Sequence, residues 1–321
     1  MGKWLRNILA LVIDALLLWY LAAHWNQLKS LLRLGPGQVA AMCGLWFVFI
    51  LVRARIVQEL LRPLNIRAGF WDMVWLNNAA LLLNYAMKFG TVFRANYLKH
   101  HYGLAYSHFA MFFAYVTFLM VGTASLVGLV SLVVVYGLAG YESKVLAVVF
   151  AATTVVAGLL LFVPLPIPAG AGRMGGFLRR FLDGREQVSR NKKAVVVTAL
   201  LLAVNFALTA ARLAIIYEGI GTGIHPAGYL ILGALGVVTL FIGLTPGALG
   251  IREVALTFGA VVLGVPTEVG VLAAMLDRAV TVGYAFVVGG ICALMLWRKS
   301  PTDFEKEQAE PALSCRGDEP N

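Results

Sequence analysis

Long apolar runs separated by short polar or basic segments make up most of this 321-residue chain. A helix of about 20 apolar residues crosses a hydrocarbon core roughly 30 Å thick. The runs at 8–23, 39–52, 109–135, 145–163, 194–217, 228–244, 251–265 and 269–297 therefore predict an all-α bundle of about eight membrane spans. Two stretches disturb that regularity. The first is LTPGALGIRE at 244–253, which follows Gly243 and sets Pro246, Gly247 and Gly250 ahead of the adjacent charges Arg252 and Glu253. Non-helical backbone survives at membrane depth only where it is buried in protein or lines a polar cavity. A helix restarting near Gly250 and running to Val265 is about 22 Å long at 1.5 Å per residue, too short to cross. The restart is thus expected inside the membrane. The second stretch, 71–87, is apolar but is followed by Lys88, Arg94, Lys99, His100 and His101. A full crossing there would put that basic run opposite the one at 53–67, against the positive-inside rule. A re-entrant or half-inserted hairpin removes the conflict, giving one or two broken segments in the bundle.

Composition agrees with a polytopic membrane protein: 60% of residues are hydrophobic and 13% charged, with a net charge of +10. The basic residues are spread among inter-helix segments, so anionic lipid headgroups are the expected partners and nucleic acid is not. Arg53, Arg55, Arg62 and Arg67 flank apolar Ile56, Val57, Leu60, Leu61 and Leu64, which predicts a basic amphipathic surface helix ending at Pro63. Residues 164–193 hold the densest positive run and predict a cytoplasmic loop. Both termini are then expected in the cytoplasm, with the protein multi-pass in a bacterial-type inner membrane. Lys3 and Arg6 before an apolar run resemble a signal sequence, but Asp14 interrupts that run and no clear cleavage site follows, so an uncleaved first span is expected. Residues 1–300 form the expected membrane domain, and 301–321 an acidic, disordered cytoplasmic tail.

Chemistry concentrates near the interruptions. Free N–H groups at a helix start near Gly250 favour an anion, and Glu253 suits the positive end of the dipole. Arg252 has the wrong sign there, which calls for a lipid phosphate or a carboxylate against it. The plainer alternative is an interfacial turn with both charges in water. Asn77, Asn84, Lys88 and Thr91, at spacings of seven, four and three, predict one polar helical face, with Arg94 a turn further on. Such a stripe ending in cations suits a phosphate; snorkelling of Lys88 and Arg94 is the alternative. Asn205, Thr209 and Arg212 share a second face, and Asp277, Thr281 and Tyr284 a third with Arg278 beside it. A charge at the membrane centre costs about 2.5–3.5 kcal/mol on insertion scales, so an Asp277–Arg212 ion pair is expected. Asp14 and Glu268 are weaker candidates. No P-loop, G-x-S-x-G or H-E-x-x-H is present, and the G-x-G-x-x-G at 170–175 lacks a βαβ context. Five histidines and three cysteines show no ligand pattern, so neither metal nor cofactor is expected.

These blocks resemble the transmembrane region of lysylphosphatidylglycerol synthases, the flippase-like domains. TPGALGIRE, an apolar run, VPTE and the helix with Asp277–Arg278 follow the family pattern PGGLGxRE, apolar run, Pro, helix with Arg; Ala248 replaces a glycine. In NYAMKFGTVFRANYL, Lys88, Gly90 and Arg94 fit P-x-R-x-G-E-x-x-R, without the proline and with Thr91 at the Glu position. The resemblance implies a bundle of roughly eight helices with re-entrant segments that moves lipids or polyprenyl-linked lipids between leaflets. It does not imply synthase activity, since the aminoacyl-transferase is a separate soluble domain and is not expected in the stretch after Trp297.

The leading expectation is a non-enzymatic lipid translocator that binds an anionic phospholipid or polyprenyl phosphate. Lys88, Arg94 and Asn84 would meet the phosphate, and Arg252 with the backbone at Gly247 and Gly250 would hold it. Glu253, Asp277, Arg278 and Arg212 complete the expected site. The alternatives are a membrane-embedded transferase using Glu253 or Asp277 as base, and a non-catalytic scaffold for a cell-envelope enzyme. A second copy of the chain is a further partner class.

Overall fold

The computed structural model describes residues 35–64, 66–87, 89–136, 141–162, 182, 185, 186, 188–242 and 250–298. The expected first span at 8–23, Asp14, Lys88, Gly247, most of the basic loop and the acidic tail lie outside the described residues.

Helix α1 (Pro36–Leu61) begins with Pro36 in its first turn and with the Gln38 side chain accepting the Gly35 N–H at 2.9 Å, a start that uses donors the helix leaves free. It is one continuous helix of 26 residues, so the separate surface helix expected from 53–67 does not form. Its second half is buried instead: Ala54, Ile56, Leu60 and Leu61 pack in one core with Met73, Leu98 and Leu104. Arg55 and Arg62 both reach Glu59, at 2.8 and 2.9 Å, which offsets part of the basic face. The helix gives way to a 3₁₀ turn over Arg62–Leu64, where Pro63 cannot continue the hydrogen-bond ladder.

Next come α2 (Phe70–Met87) and α3 (Gly90–Tyr102), which fold back on each other. At the open end Tyr102 donates its hydroxyl proton to Asp72 at 3.0 Å and accepts the Gly69 N–H at 3.3 Å. Near the tip Gly90 lies against the Ala80 carbonyl and Asn84, too close for any side chain larger than hydrogen. The 13 residues of α3 rise about 20 Å at 1.5 Å each, short of a crossing. The pair is a helical hairpin, two antiparallel helices packed side by side.

Three apolar helices follow: α4 (Tyr106–Ser131), prolonged by a π-turn over Leu132–Tyr136, α5 (Tyr141–Phe162) and α6 (Lys192–Ile220). Gly122 meets Ala157 and Gly128 meets Phe150, so α4 and α5 run antiparallel through small-residue contacts, the usual way membrane helices approach closely. Asn191 caps α6 by accepting the Ala194 N–H at 3.1 Å. Met42 of α1 packs with Ile216, Tyr217 and Ile220 at the far end of α6, which makes that pair antiparallel too.

The runs expected as two spans at 228–244 and 251–265 are α7 (Pro226–Ile242) and α8 (Ile251–Val262). They pack side by side as a second hairpin. Gly236 lies beside Arg252 and Gly259 beside Leu232 and Leu235, so the arms run antiparallel. With 12 residues, α8 rises only about 18 Å. Gly250 precedes it at φ +78°, a backbone state open mainly to glycine. The last helix, α9 (Thr267–Arg298), runs 32 residues and packs along α2 in the opposite sense, Gly289 against Asn78 and Arg278 against Tyr85.

Among the described residues, α1, α4, α5, α6 and α9 are long and apolar enough to cross a membrane. Following the chain through these crossings puts the open end of the α2–α3 hairpin on one face and that of the α7–α8 hairpin on the other. Their tips meet at the level of Asp277 and Arg278, part-way along α9. The protein is thus a multi-pass helical membrane protein with two helical hairpins whose open ends lie at opposite ends of the bundle.

Candidate functional site

A cavity of about 350 Å³ opens between the hairpins and the long helices. Seven elements wall it. Helix α1 contributes Trp46, Phe49, Ile50 and Arg53. The first hairpin contributes Asn77, Leu81, Asn84, Tyr85, Thr91 and Arg94; α4 contributes Phe113, Thr117, Met120, Thr123 and Ala124. Helix α6 supplies Leu202, Asn205, Phe206, Thr209 and Arg212, and the second hairpin Gly233, Gly236, Val237 and Arg252. Mostly apolar walls with a few convergent polar groups are what a small-molecule or headgroup site needs. A second hollow of about 540 Å³ draws only on the end of α1 and the loop after it, with Arg62 already paired to Glu59.

At one end of the cavity the charges are paired. Asp277, wholly buried, accepts from Arg212 Nε at 2.6 Å and meets Arg252 at 2.8 Å. The Arg212 guanidinium lies over the Trp46 ring, 4.4 Å from its centroid, a contact that helps a cation out of water. Trp46 in turn donates its indole N–H to Thr281 at 2.9 Å, and Thr281 donates to the Asp277 carbonyl at 2.7 Å. Beside this network Arg278 pairs with Glu253 at 2.9 Å, and its guanidinium faces the Tyr85 ring at 5.1 Å. Both carboxylates are held by cations, as buried charges must be.

The other end is different. Arg53 and Arg94 line the same cavity, and no carboxylate among the described residues pairs with either. Arg94 has only a long hydrogen bond to Asn77 Oδ1, at 3.5 Å. Among the described residues, Asn77 Nδ2, Arg94 Nε and Asn205 Oδ1 are buried without hydrogen-bond partners, and burial of such an atom carries a desolvation cost.

Of the expected site residues, Asn84, Arg94, Arg212 and Arg252 share this cavity, and Asp277 bridges the last two. Asn77, Thr91, Asn205 and Thr209 are there too. Asn77 and Asn84 do not continue onto one helix with Thr91, however: α2 ends at Met87 and α3 begins at Gly90 and runs back along it, which brings Thr91 and Arg94 to the same wall from a second helix. Glu253 and Arg278 pair with one another apart from the cavity lining, and Gly250 starts α8. The anion expected against Arg252 is, in this structure, the carboxylate of Asp277. Arg53, Trp46 and Tyr85 were not expected at the site: Arg53 read as the first cation of a basic surface helix, and the two aromatic residues lay within apolar runs.

The family model for the lysylphosphatidylglycerol synthase TM region matches residues 7–289, most of the chain. The chain belongs to this family. Membership ties this bundle to membrane proteins concerned with lipids. The match takes in both hairpins and every residue of the cavity wall. No curated protein and no solved structure matches the chain.

Proposed function

We propose that the protein carries lipids from one leaflet to the other by binding the headgroup phosphate in this cavity, leaving the acyl or prenyl chains in the bilayer. The observation that carries the reading is the Arg53–Arg94 pair: two cations in a membrane-embedded cavity, neither with a carboxylate among the described residues. Such an arrangement is costly in an empty protein and is stabilised when an anion arrives. Arg53 and Arg94 take the phosphate oxygens, and Asn84 and Thr91 complete the polar wall. The aromatic residues Phe49, Phe113 and Phe206 face the upper part of the chains. The paired end, Arg212–Asp277–Arg252, ties α6, the second hairpin and α9 together, so movement of the hairpin that bears Arg252 is coupled to the cavity. Hairpins entering from opposite faces supply one gate per side, an arrangement suited to alternating access.

A transferase would need a base at this site. Asp277, behind the cavity wall, and Glu253, apart from it, are each held in a buried ion pair, which favours transport over chemistry. In reconstituted vesicles, leaflet exchange of a labelled anionic lipid should be accelerated by the wild-type protein and lost in Arg94→Gln that still melts cooperatively. Exchange at the rate of protein-free vesicles, or full activity in Arg94→Gln, would overturn the reading. Function that survives both Arg94→Gln and Arg53→Gln but is lost on altering the exposed face of α5 would identify a scaffold instead.

A further inference from the structure

We infer that the cavity selects a doubly charged phosphate, a monoester or pyrophosphate, over the singly charged diester of common phospholipids. This rests on the headgroup reading above and narrows it to a substrate class.

The charge count comes first. Four arginines line the cavity, Arg53, Arg94, Arg212 and Arg252, and one carboxylate, Asp277, serves two of them. Among the described residues the surplus is therefore three positive charges. Glu253 does not reduce it, because Arg278 already meets that carboxylate. A zwitterionic headgroup leaves the surplus intact, a diester removes one charge and a dianion removes two. In a low-dielectric site each unmatched charge is costly, so the dianion gains most.

Donor geometry leads to the same ligand. Arg53 and Arg94 each present a planar fork suited to bidentate contact with phosphate. Asn77 Nδ2 and Arg94 Nε are buried donors with no acceptor among the described residues, and Asn84 and Thr91 lie on the same wall. A diester has two unesterified oxygens, whereas a monoester has three strong acceptors. The wall offers more donors than a diester can take up.

A monoester also carries its own pH signature. Its second ionisation falls near pH 6, so it loses one charge between about pH 7.5 and 5 while a diester does not. The groups facing it are Arg53 from α1, Tyr85 from α2, Arg94 from α3, Arg212 from α6, Arg252 from α8 and Asp277 behind them from α9; α4 and α7 contribute no ionisable side chain to the wall. Arginine and tyrosine ordinarily titrate far above this window, and Asp277 lies 2.6 and 2.8 Å from two guanidinium groups. The pH dependence is then the ligand's.

The test uses the full-length protein in neutral detergent, with dodecyl phosphate, methyl dodecyl phosphate and inorganic phosphate as probes, and tryptophan fluorescence or calorimetry as readout. At pH 8 dodecyl phosphate should bind at least about tenfold more tightly than its methyl ester, about 1.4 kcal/mol, and the advantage should shrink at least about fivefold by pH 5. Arg53→Gln should lose the preference and Arg53→Lys keep part of it. Equal affinity for the two esters at pH 8, or a preference that does not change with pH, would overturn the inference; leaflet exchange of a diester lipid would then still uphold the broader headgroup reading. Inorganic phosphate binding as tightly as dodecyl phosphate, with the same pH profile, would keep the dianion preference and refute a lipid ligand. Both pH profiles are measured on the wild-type protein, so the result does not depend on any variant folding.

Discussion

Asp277→Ala is the severest single change this structure predicts. The carboxylate is fully buried and serves Arg212 and Arg252, whose side chains are 3% and 13% exposed. Removing one member of a buried ion pair costs about 3–5 kcal/mol, mostly because the remaining charge is left without a partner. Here two guanidinium groups lose the same partner. Arg212 keeps its place over Trp46, which retains about 1–2 kcal/mol of cation–π stabilisation in a desolvated setting. The expected loss is therefore about 3 kcal/mol or more. A control is available in Arg190→Ala, which breaks an ion pair with Glu186 whose side chains are 80% and 63% exposed; pairs of that kind contribute about 0–1 kcal/mol. The assay is reversible unfolding in mixed micelles, followed by tryptophan fluorescence as denaturing detergent is raised. Adding Arg212→Met to Asp277→Ala should recover part of the loss, with a coupling between the two of about 0.5–3 kcal/mol. If Asp277→Ala costs no more than Arg190→Ala, or if the two core changes simply add, the shared carboxylate does not hold these helices together and the argument fails.

Three further outcomes are expected. Gly90→Ala puts a methyl group 2.6 Å from Asn84 Oδ1 and against the Ala80 carbonyl; it should destabilise by about 1–3 kcal/mol or more and slow leaflet exchange, and unchanged unfolding would mean the first hairpin is not closed this tightly. Gly250→Ala forces a side chain into φ +78° at the start of α8, a strain of about 1–3 kcal/mol that should show in the same unfolding titration. Trp46→Phe removes the indole donor to Thr281 and weakens the platform under Arg212, for a loss of about 1–2 kcal/mol; a variant as stable as wild type would show that the Trp46–Thr281 bond adds nothing.

Much of this architecture was legible from cost. A charge at membrane depth needs a partner, so the pairing of Asp277 with Arg212 could be weighed from residue types alone. Where partners depend on the register between distant helices, residue types are silent. Nothing in the spacing says that Arg252 reaches Asp277, 25 positions on, while its neighbour Glu253 turns to Arg278. The shortness of α8 was plain from its length, but its return along α7 rests on the fit of Gly236 and Gly259, which a count of apolar residues does not contain. Arg53 illustrates the opposite trap. A basic residue after an apolar run normally marks the membrane surface, and here the helix simply continues, because Ala54, Ile56 and Leu60 still have a core to enter. The polar stripe from Asn77 to Arg94 was recognised as one surface for the wrong reason: two antiparallel helices, rather than one continuous helix, bring those side chains to the same cavity.

The central claim is that Arg53 and Arg94 together hold a lipid phosphate. Native mass spectrometry of the protein released from the membrane in mild detergent tests it most directly, comparing wild type with Arg53→Gln/Arg94→Gln. The account predicts a phosphate-bearing lipid retained on the wild type and missing from the double variant, with loosely bound lipids the same on both. An identical set of retained lipids on the two proteins would contradict it.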